Sequence, residues 1–290
     1  MAEPQLVSVD SLTRDLSNGQ PASEVLDRLR GHFKAGHGVQ NAVYAVRRRL
    51  LEAGHAHPNL DEFALTHEEI SANKRRSEQA VLARNAAPLV VTRGAALVDT
   101  IHAMLLAATT ETTYANLSIP LLIASGRRMA EIMNGSSVFK PTSNAHICVF
   151  TGQLKKKSEA VQPYCIPLLV PFTVFSHGLT VLQKKQSASR ARAITTNAQC
   201  AARYQKTLQE GLDAMTEKNT VPLPPCHLHS LRAIYAALVY ELFASSHQFC
   251  YTAMRILGHS HLQESLPYSY VRVLGVDGVR GVFGPLQFLQ

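Results

Sequence analysis

The sequence predicts a mainly helical α+β fold with one small β-hairpin or sheet, and three observations carry that expectation. Apolar residues recur at three- and four-residue spacing through most of the chain, the period of a helix with one buried face. Two short β-type runs, residues 145–151 and 164–170, flank a Lys-rich turn in the manner of a hairpin. Hydrophobic residues make up 46% and charged residues 17% of the 290, enough apolar surface for a packed core and too little charge for a disordered chain. A chain of this length suits two domains.

Residues 1–22 are polar, hold Pro4, Gly19 and Pro21, and read as a flexible lead-in. A first helix is expected over 22–35, with Val25, Leu26, Leu29 and Phe33 on one face, and a second over 41–53, with Val43, Val46, Leu50 and Leu51. A third, more polar helix over 66–83 opens with Thr66 and Glu69, spaced for a capping box in which each side chain satisfies the other's free backbone N–H. Pro88 and the β-branched residues near it, within 85–93, mark a boundary. The expected division is therefore the lead-in 1–22, an N-terminal helical domain 23–90 and a second domain 91–290. The second domain should begin with two apolar helices, 95–108 and 115–133, followed by the hairpin and a helix over 171–183. A basic, Ala-rich helical stretch over 187–215 is ended by Pro222, Pro224 and Pro225, and two apolar helices follow over 230–244 and 248–257. From Tyr268 the pattern is strand-like and then Gly-rich. Val271, Val273, Leu274, Val276 and the apolar residues after them are expected to pack on their own domain or on a neighbouring copy.

Net charge is +8, and it is unevenly placed. Residues 1–94 carry 12 Lys and Arg against 11 Asp and Glu, whereas residues 95–290 carry 17 against 10. A basic surface of this kind points to a polyanion, of which nucleic acid is the commonest. The five cysteines form no C-x-x-C pair and most sit in apolar runs, as reduced buried thiols of an intracellular protein do. No secretory leader is visible. The most apolar stretch, 165–175, is interrupted by Pro167 and Pro171, so no membrane span is expected.

Six positions carry candidate chemistry: Arg128 in Ser125-Gly126-Arg127-Arg128-Met129-Ala130-Glu131, Lys155 in the hairpin turn, His229 and Arg232 in His229-Ser230-Leu231-Arg232, His259 in Leu257-Gly258-His259, and Tyr268 nine residues further on. Singly each has an ordinary explanation: a solvated arginine, a wet lysine turn, a core histidine, a Gly C-cap, a packing tyrosine. As an ordered set, G-x-R-x-x-E, hairpin Lys, H-x-L-R, L-G-H and Tyr over about residues 120–270 resemble the catalytic signature of the tyrosine recombinases and integrases. That resemblance implies an N-terminal helical arm that clamps DNA against a recombinase-like catalytic domain. The chemistry fits the residue types. Two guanidiniums, Arg128 and Arg232, can grip the non-bridging oxygens of a phosphodiester as charge builds there. His229 and His259 can hydrogen-bond the phosphate or move the tyrosine proton, Lys155 can protonate the leaving 5′-oxygen, and Tyr268 can attack phosphorus to form a covalent phosphotyrosine. The spacing to Glu131, a structural partner, favours Arg128 over Arg127. Lys156 and Lys157 adjoin Lys155, and Tyr270 stands as the alternative to Tyr268, which follows Pro267.

A DNA surface is expected from Lys156, Lys157, Lys184, Lys185, Arg190 and Arg192, continued by Arg203 and Lys206, with Arg47, Arg48 and Arg49 as the matching contacts on the N-terminal arm. Cys226, His227, His229, His259 and His261 lie near one another in sequence, but no H-E-x-x-H or C-x-x-C organises them. No metal and no cofactor is therefore expected. Within the superfamily the finer resemblance is to telomere resolvases, or protelomerases. It rests on Gly126-Arg127-Arg128, on Thr151-Gly152-Gln153-Leu154-Lys155 with Ile166-Pro167-Leu168, and on Leu231-Arg232-Ala233-Ile234-Tyr235-Ala236. It implies cleavage of double-stranded DNA by a homodimer or higher homo-oligomer, with each side resealed as a hairpin end. A recombinase or integrase exchanging strands between two sites is the alternative, and an inactive DNA-binding protein a further one. The compartment follows the host: cytoplasm and nucleoid for a bacterium or phage, nucleus for a eukaryote.

Overall fold

The structure is a computed structural model that describes residues 8–33, 36–54, 60–135, 137–154, 162–188, 197–244 and 247–277. The chain divides into two compact units, Met1–Leu82 and Ala83–Gln290.

The first unit is helical. Helix α1 (Val9–Ser17) lies in the stretch expected to be a flexible lead-in, and residues 8–17 correct that expectation. Ser8 caps it: the Ser8 hydroxyl accepts the Ser11 N–H at 3.0 Å, and Ser11 Oγ accepts the Ser8 N–H at 3.1 Å. Leu12 and Leu16, one turn apart, bury against Val25, Leu26 and Leu29 of α2 (Ala22–His32) and Val39, Val43, Val46 and Leu50 of α3 (Gly36–Glu52). Each such side chain contributes about 1.5–3 kcal/mol by leaving water. This apolar stripe is only two residues wide, so the polar composition of the segment concealed it. Helix α4 (His67–Ala86) is polar, and Asn73 is its one buried residue among those described. The expected capping box opens it, with the Thr66 N–H donating to Glu69 at 2.8 Å and the Glu69 N–H to Thr66 at 3.2 Å.

The second unit is wrapped around two helices that are apolar on all sides, α6 (Tyr114–Ser125) and α10 (Ser230–Phe243). Around α6 pack α5 (Gly94–Leu106), α8 (Phe172–Ala188) and α9 (Asn197–Glu217). Residues 115–133, expected as one helix, are two: α6 ends at Gly126, whose φ of 62° breaks the helix, and α7 (Met129–Met133) starts after Arg128. The expected hairpin exists as β3 (Ile147–Thr151) and β4 (Tyr164–Pro167). A third strand, β2 (Val138–Pro141), extends it to an antiparallel sheet of order β2-β3-β4. Helix α11 (Phe249–Leu257) and a 3-10 helix (Leu262–Tyr268) follow α10.

The strand-like segment after Tyr268 is β5 (Val271–Val273), parallel to β1 (Leu89–Val91). Its continuation caps α5, because the carbonyls of Leu274 and Gly275 accept the free N–H groups of Gly94 and Ala95, both at 2.8 Å. Val271, Val273 and Val276 are buried in the core of this unit, so up to there the tail packs on its own domain; residues 278–290 lie outside the described set. No helix among the described residues is long and apolar enough to cross a membrane.

Candidate active site

The site is built on the break between α6 and α7. Gly126 supplies the left-handed turn, and a Cβ there would lie 2.0 Å from the Tyr235 ring, so the position admits no side chain. The turn sends the next two arginines in different directions. Arg127, 2% exposed, points into the protein. Its Nε donates to the Ser125 carbonyl at 3.1 Å, one terminal nitrogen to the Tyr164 hydroxyl at 2.5 Å and the other to the Ile256 carbonyl at 2.6 Å. Its guanidinium also lies 4.8 Å from the Phe150 ring centre. Arg127 thus ties α6, β3, β4 and α11 together. Burial alone would depress its pKa, but Tyr164 and Glu131 outweigh that and raise it.

Arg128 stays at the surface of the site. Its backbone N–H and its guanidinium both donate to Glu131, at 2.9 and 2.8 Å, and the guanidinium also reaches the Leu154 carbonyl at 3.1 Å. The buried Glu131 carboxylate accepts the Leu154 N–H at 3.1 Å as well. Leu154, the last described residue before position 155, is therefore tied to the Arg128–Glu131 pair through both its carbonyl and its N–H. Burial raises the Glu131 pKa, but Arg127, Arg232 and Arg128 outweigh it and hold the group below the ordinary carboxylate value.

Arg232, three residues into the chain from the α10 N-cap His229, is also 2% exposed. It donates to the Gly126 carbonyl at 2.5 Å and the Leu257 carbonyl at 2.8 Å, and its nearest approach to Glu131 is 3.9 Å. Among the described residues its Nε is buried without a partner. Burial, Arg127 and Arg128 push its pKa down to about 10. Three guanidiniums around one carboxylate leave a local charge of about +2, and one of those guanidiniums carries an unused donor; both favour an anion.

Tyr268, 8% exposed, closes the group. Its ring centre lies 5.2 Å from that of His259, 5.9 Å from that of His229 and 6.0 Å from the Arg232 guanidinium carbon. Pro267 sits inside the 3-10 helix that delivers it. Tyr270 is engaged elsewhere: its hydroxyl donates to Ser230 Oγ at 3.0 Å and the Arg84 guanidinium covers its ring at 5.8 Å. His259 follows the C-cap Gly258, whose φ is 68°, and its Nδ1 lies 2.9 Å from Ser265 Oγ. Burial, then Arg232, Arg128 and Arg127, lowers its pKa to about 3, so the ring is neutral.

Five of the six expected site residues, Arg128, His229, Arg232, His259 and Tyr268, are thus brought together. Lys155, Lys156, Lys157, Arg190 and Arg192 lie outside the described residues. Ser265 and Tyr164 carried no sequence signal, and Gln153 entered only as part of the segment 151–155. Gln153 donates to the Gly258 carbonyl at 2.7 Å, and a Cβ on Gly258 would collide with its side chain at 2.2 Å.

The expected DNA contacts are less uniform. Arg47 donates to the carbonyls of Leu60 and Phe63, the latter at 3.0 Å. Arg48 pairs with Glu52 at 3.6 Å, and Arg49 with Asp10. Lys184 and Arg203 are exposed, Lys206 pairs loosely with Glu210, and Lys185 donates to the Thr110 carbonyl at 2.9 Å. No three His, Cys, Asp or Glu side chains among the described residues converge as a metal site would need.

Paired guanidiniums and two histidines, one of them neutral, around a buried tyrosine can perform phosphoryl transfer of the tyrosine type, the chemistry of enzymes that break and rejoin DNA. Residues 89–272, more than half the chain, match the family model of the telomere resolvase ResT/TelK catalytic domain. The chain belongs to that family and is a tyrosine-type DNA breaking and rejoining enzyme. The fold is similar to that of a protelomerase TelA mutant complexed with a DNA hairpin product, with a TM-score of 0.74 and 17% identity over 93% of this chain and 84% of that one. TelA covalently complexed with substrate DNA gives a TM-score of 0.73, also at 17% identity over 93% and 84% of the two chains. Protelomerase TelK complexed with substrate DNA gives 0.57 at 19% identity, over 94% of this chain and 55% of that one. No curated protein matched the sequence.

Proposed function

We propose that the protein resolves replicated DNA termini by cutting a duplex target and sealing each side as a closed hairpin. The Tyr268 hydroxyl oxygen attacks the scissile phosphorus. The bond to the 5′-oxygen breaks, and a 3′-phosphotyrosine forms. The tyrosine proton leaves through His229 or a water it holds, and Lys155 protonates the departing 5′-oxygen. Arg128 and Arg232 hold the non-bridging oxygens as charge develops on them, while the neutral His259 adds a hydrogen bond. Glu131 orients both arginines. The 5′-hydroxyl of the complementary strand then attacks the phosphotyrosine, closing the hairpin and releasing Tyr268. The phosphodiester energy is retained in the protein link, so religation needs no external energy source. Both strands must be cut, so the acting form is a homodimer or higher homo-oligomer on double-stranded DNA.

The observation that supports this most is the buried Arg232 guanidinium, with an unpartnered Nε, set against the Tyr268 ring. A buried donor without an acceptor is costly, and a phosphate oxygen is the acceptor this chemistry supplies. The test is incubation of purified protein with palindromic duplexes from its own replicon, followed by denaturing gels. Ends that snap back to duplex after melting are expected. Exchanged segments with open ends would identify a conventional recombinase, and the absence of any protein–DNA adduct would leave a DNA-binding role.

A further inference from the structure

Ser265 lies on the 3-10 helix that delivers Tyr268 and is 0% exposed. Among the described residues, the one hydrogen-bond partner of its hydroxyl is His259 Nδ1 at 2.9 Å. A neutral imidazole has one N–H and one lone pair, and the bond made by one nitrogen decides what the other can do. Two arrangements satisfy the distance. If Nδ1 carried the proton and donated to Ser265, the serine O–H would be a buried donor with no acceptor. If the serine donates to Nδ1, its O–H is used and the ring's own N–H lies on Nε2, the nitrogen away from Ser265. Only hydroxyl lone pairs, which tolerate vacancy better, are left over.

We propose that Ser265 is a positioning residue: it donates its hydroxyl proton to His259 Nδ1, fixes the ring in the tautomer with hydrogen on Nε2, and so makes His259 a donor toward the scissile phosphate. The inference rests on the reading of His259 as a phosphate contact. The surroundings explain why a tautomer needs fixing. Three arginines already crowd the site, and burial together with Arg232, Arg128 and Arg127 keeps the ring uncharged. A charged imidazole would donate from both nitrogens whatever its neighbour. A neutral one donates from the correct nitrogen only if something selects it, and Ser265 selects it from the same helix that carries the attacking tyrosine.

The test combines spectroscopy with cleavage. Full-length protein labelled with 15N-histidine is expected to show His259, assigned by its loss in His259→Asn, with a protonated Nε2 and a bare Nδ1. Ser265→Ala should mix or reverse the tautomers, and Ser265→Thr, which keeps the hydroxyl, should retain them. In single-turnover cleavage of a duplex target, Ser265→Ala should be slower by roughly 10- to 100-fold, the usual loss for a partner that orients a functional group, with Ser265→Thr restoring most of it. In a His259→Ala background, Ser265→Ala should add nothing. A proton on Nδ1 in the unsubstituted protein would overturn the inference by itself, whatever the variants do. Additive losses would also overturn it. Unchanged cleavage in both single variants would overturn the role of His259 in the proposed function, and this inference with it.

Discussion

Arg127 and Arg232 are buried to the same extent within the field of the same carboxylate, yet their surroundings treat them oppositely. Arg127 donates from all three of its nitrogens to fixed acceptors on α6, β4 and α11, and its pKa is raised. Arg232 donates from two, keeps a buried Nε without a partner, and its pKa falls to about 10. The first cation is finished by the protein. The second is left one acceptor short beside Tyr268. Adjacent guanidiniums can therefore serve stability or chemistry, and what separates them is whether the fold has already supplied their acceptors.

The largest effect should come from the tyrosines on either side of this divide. Tyr268→Phe is expected to abolish the covalent adduct, with cleavage reduced on the order of 10⁴-fold or more, as loss of a nucleophile requires. Tyr270→Phe, which removes only the bond to Ser230, should leave the adduct in place. Adducts resolved on denaturing protein gels decide it, and an adduct that survives in Tyr268→Phe but not in Tyr270→Phe would reverse the assignment.

Next come the arginines themselves. Arg127→Met should unfold more readily, because it strands the carbonyls of Ser125 and Ile256 and the Tyr164 hydroxyl. Breaking such a buried charged network costs about 3–5 kcal/mol, or roughly 10 °C in Tm at about 2–4 °C per kcal/mol for a unit of this size. Arg232→Met removes a cation the fold holds incompletely satisfied, so its Tm should fall by less than half as much. Its cleavage should nonetheless drop about 10²- to 10³-fold or more at a temperature where both variants are folded. Equal melting losses in the two variants would remove the distinction.

A smaller effect belongs to pH. The His259 pKa is about 3 in the fold against an ordinary 6.5. Between those values the unfolded chain binds a proton that the folded one refuses. The stability tied to the neutral ring is fully present above pH 6.5 and is lost as pH falls toward 3. In urea unfolding, the loss between pH 7 and pH 4.5 should be smaller in His259→Gln than in the unsubstituted protein. Identical losses would place the acid sensitivity elsewhere.

Much of this site was legible in the sequence because recombinase-like chemistry demands particular residue types in a fixed order, and Arg128, Arg232, His259 and Tyr268 stand at those spacings. The sheet was half legible: β3 and β4 have the apolar runs of strands, whereas β2, with Lys140 and Pro141, does not. The break at Gly126 was hidden because the flanking residues keep helical periodicity. The turn is set by a glycine under Tyr235, more than a hundred residues away in sequence. Ser265 was invisible for a similar reason: a lone serine has no pattern, and its meaning comes from the ring it faces. The surroundings of Arg47 were hidden too: a run of three arginines reads as a charged face, and nothing in it shows that the carbonyls of Leu60 and Phe63 stand beside one of them.

That last case extends the contrast between satisfied and unsatisfied cations to the surface, where the effect should be smallest. Arg47 donates to backbone carbonyls of its own unit, as Arg127 donates to two carbonyls and a tyrosine hydroxyl of the other. Arg47→Ala should therefore lower the stability of the first unit and leave the salt dependence of DNA binding unchanged. Lys184 is exposed on α8. If it meets a phosphate, Lys184→Ala should weaken binding evenly across DNA sequences and reduce the slope of log K against log salt by about 1. Titrations of both variants at several salt concentrations separate the two. A reduced slope for Arg47→Ala would mean that its carbonyl bonds open on DNA, and that satisfaction in the free protein does not decide which cations reach the phosphates.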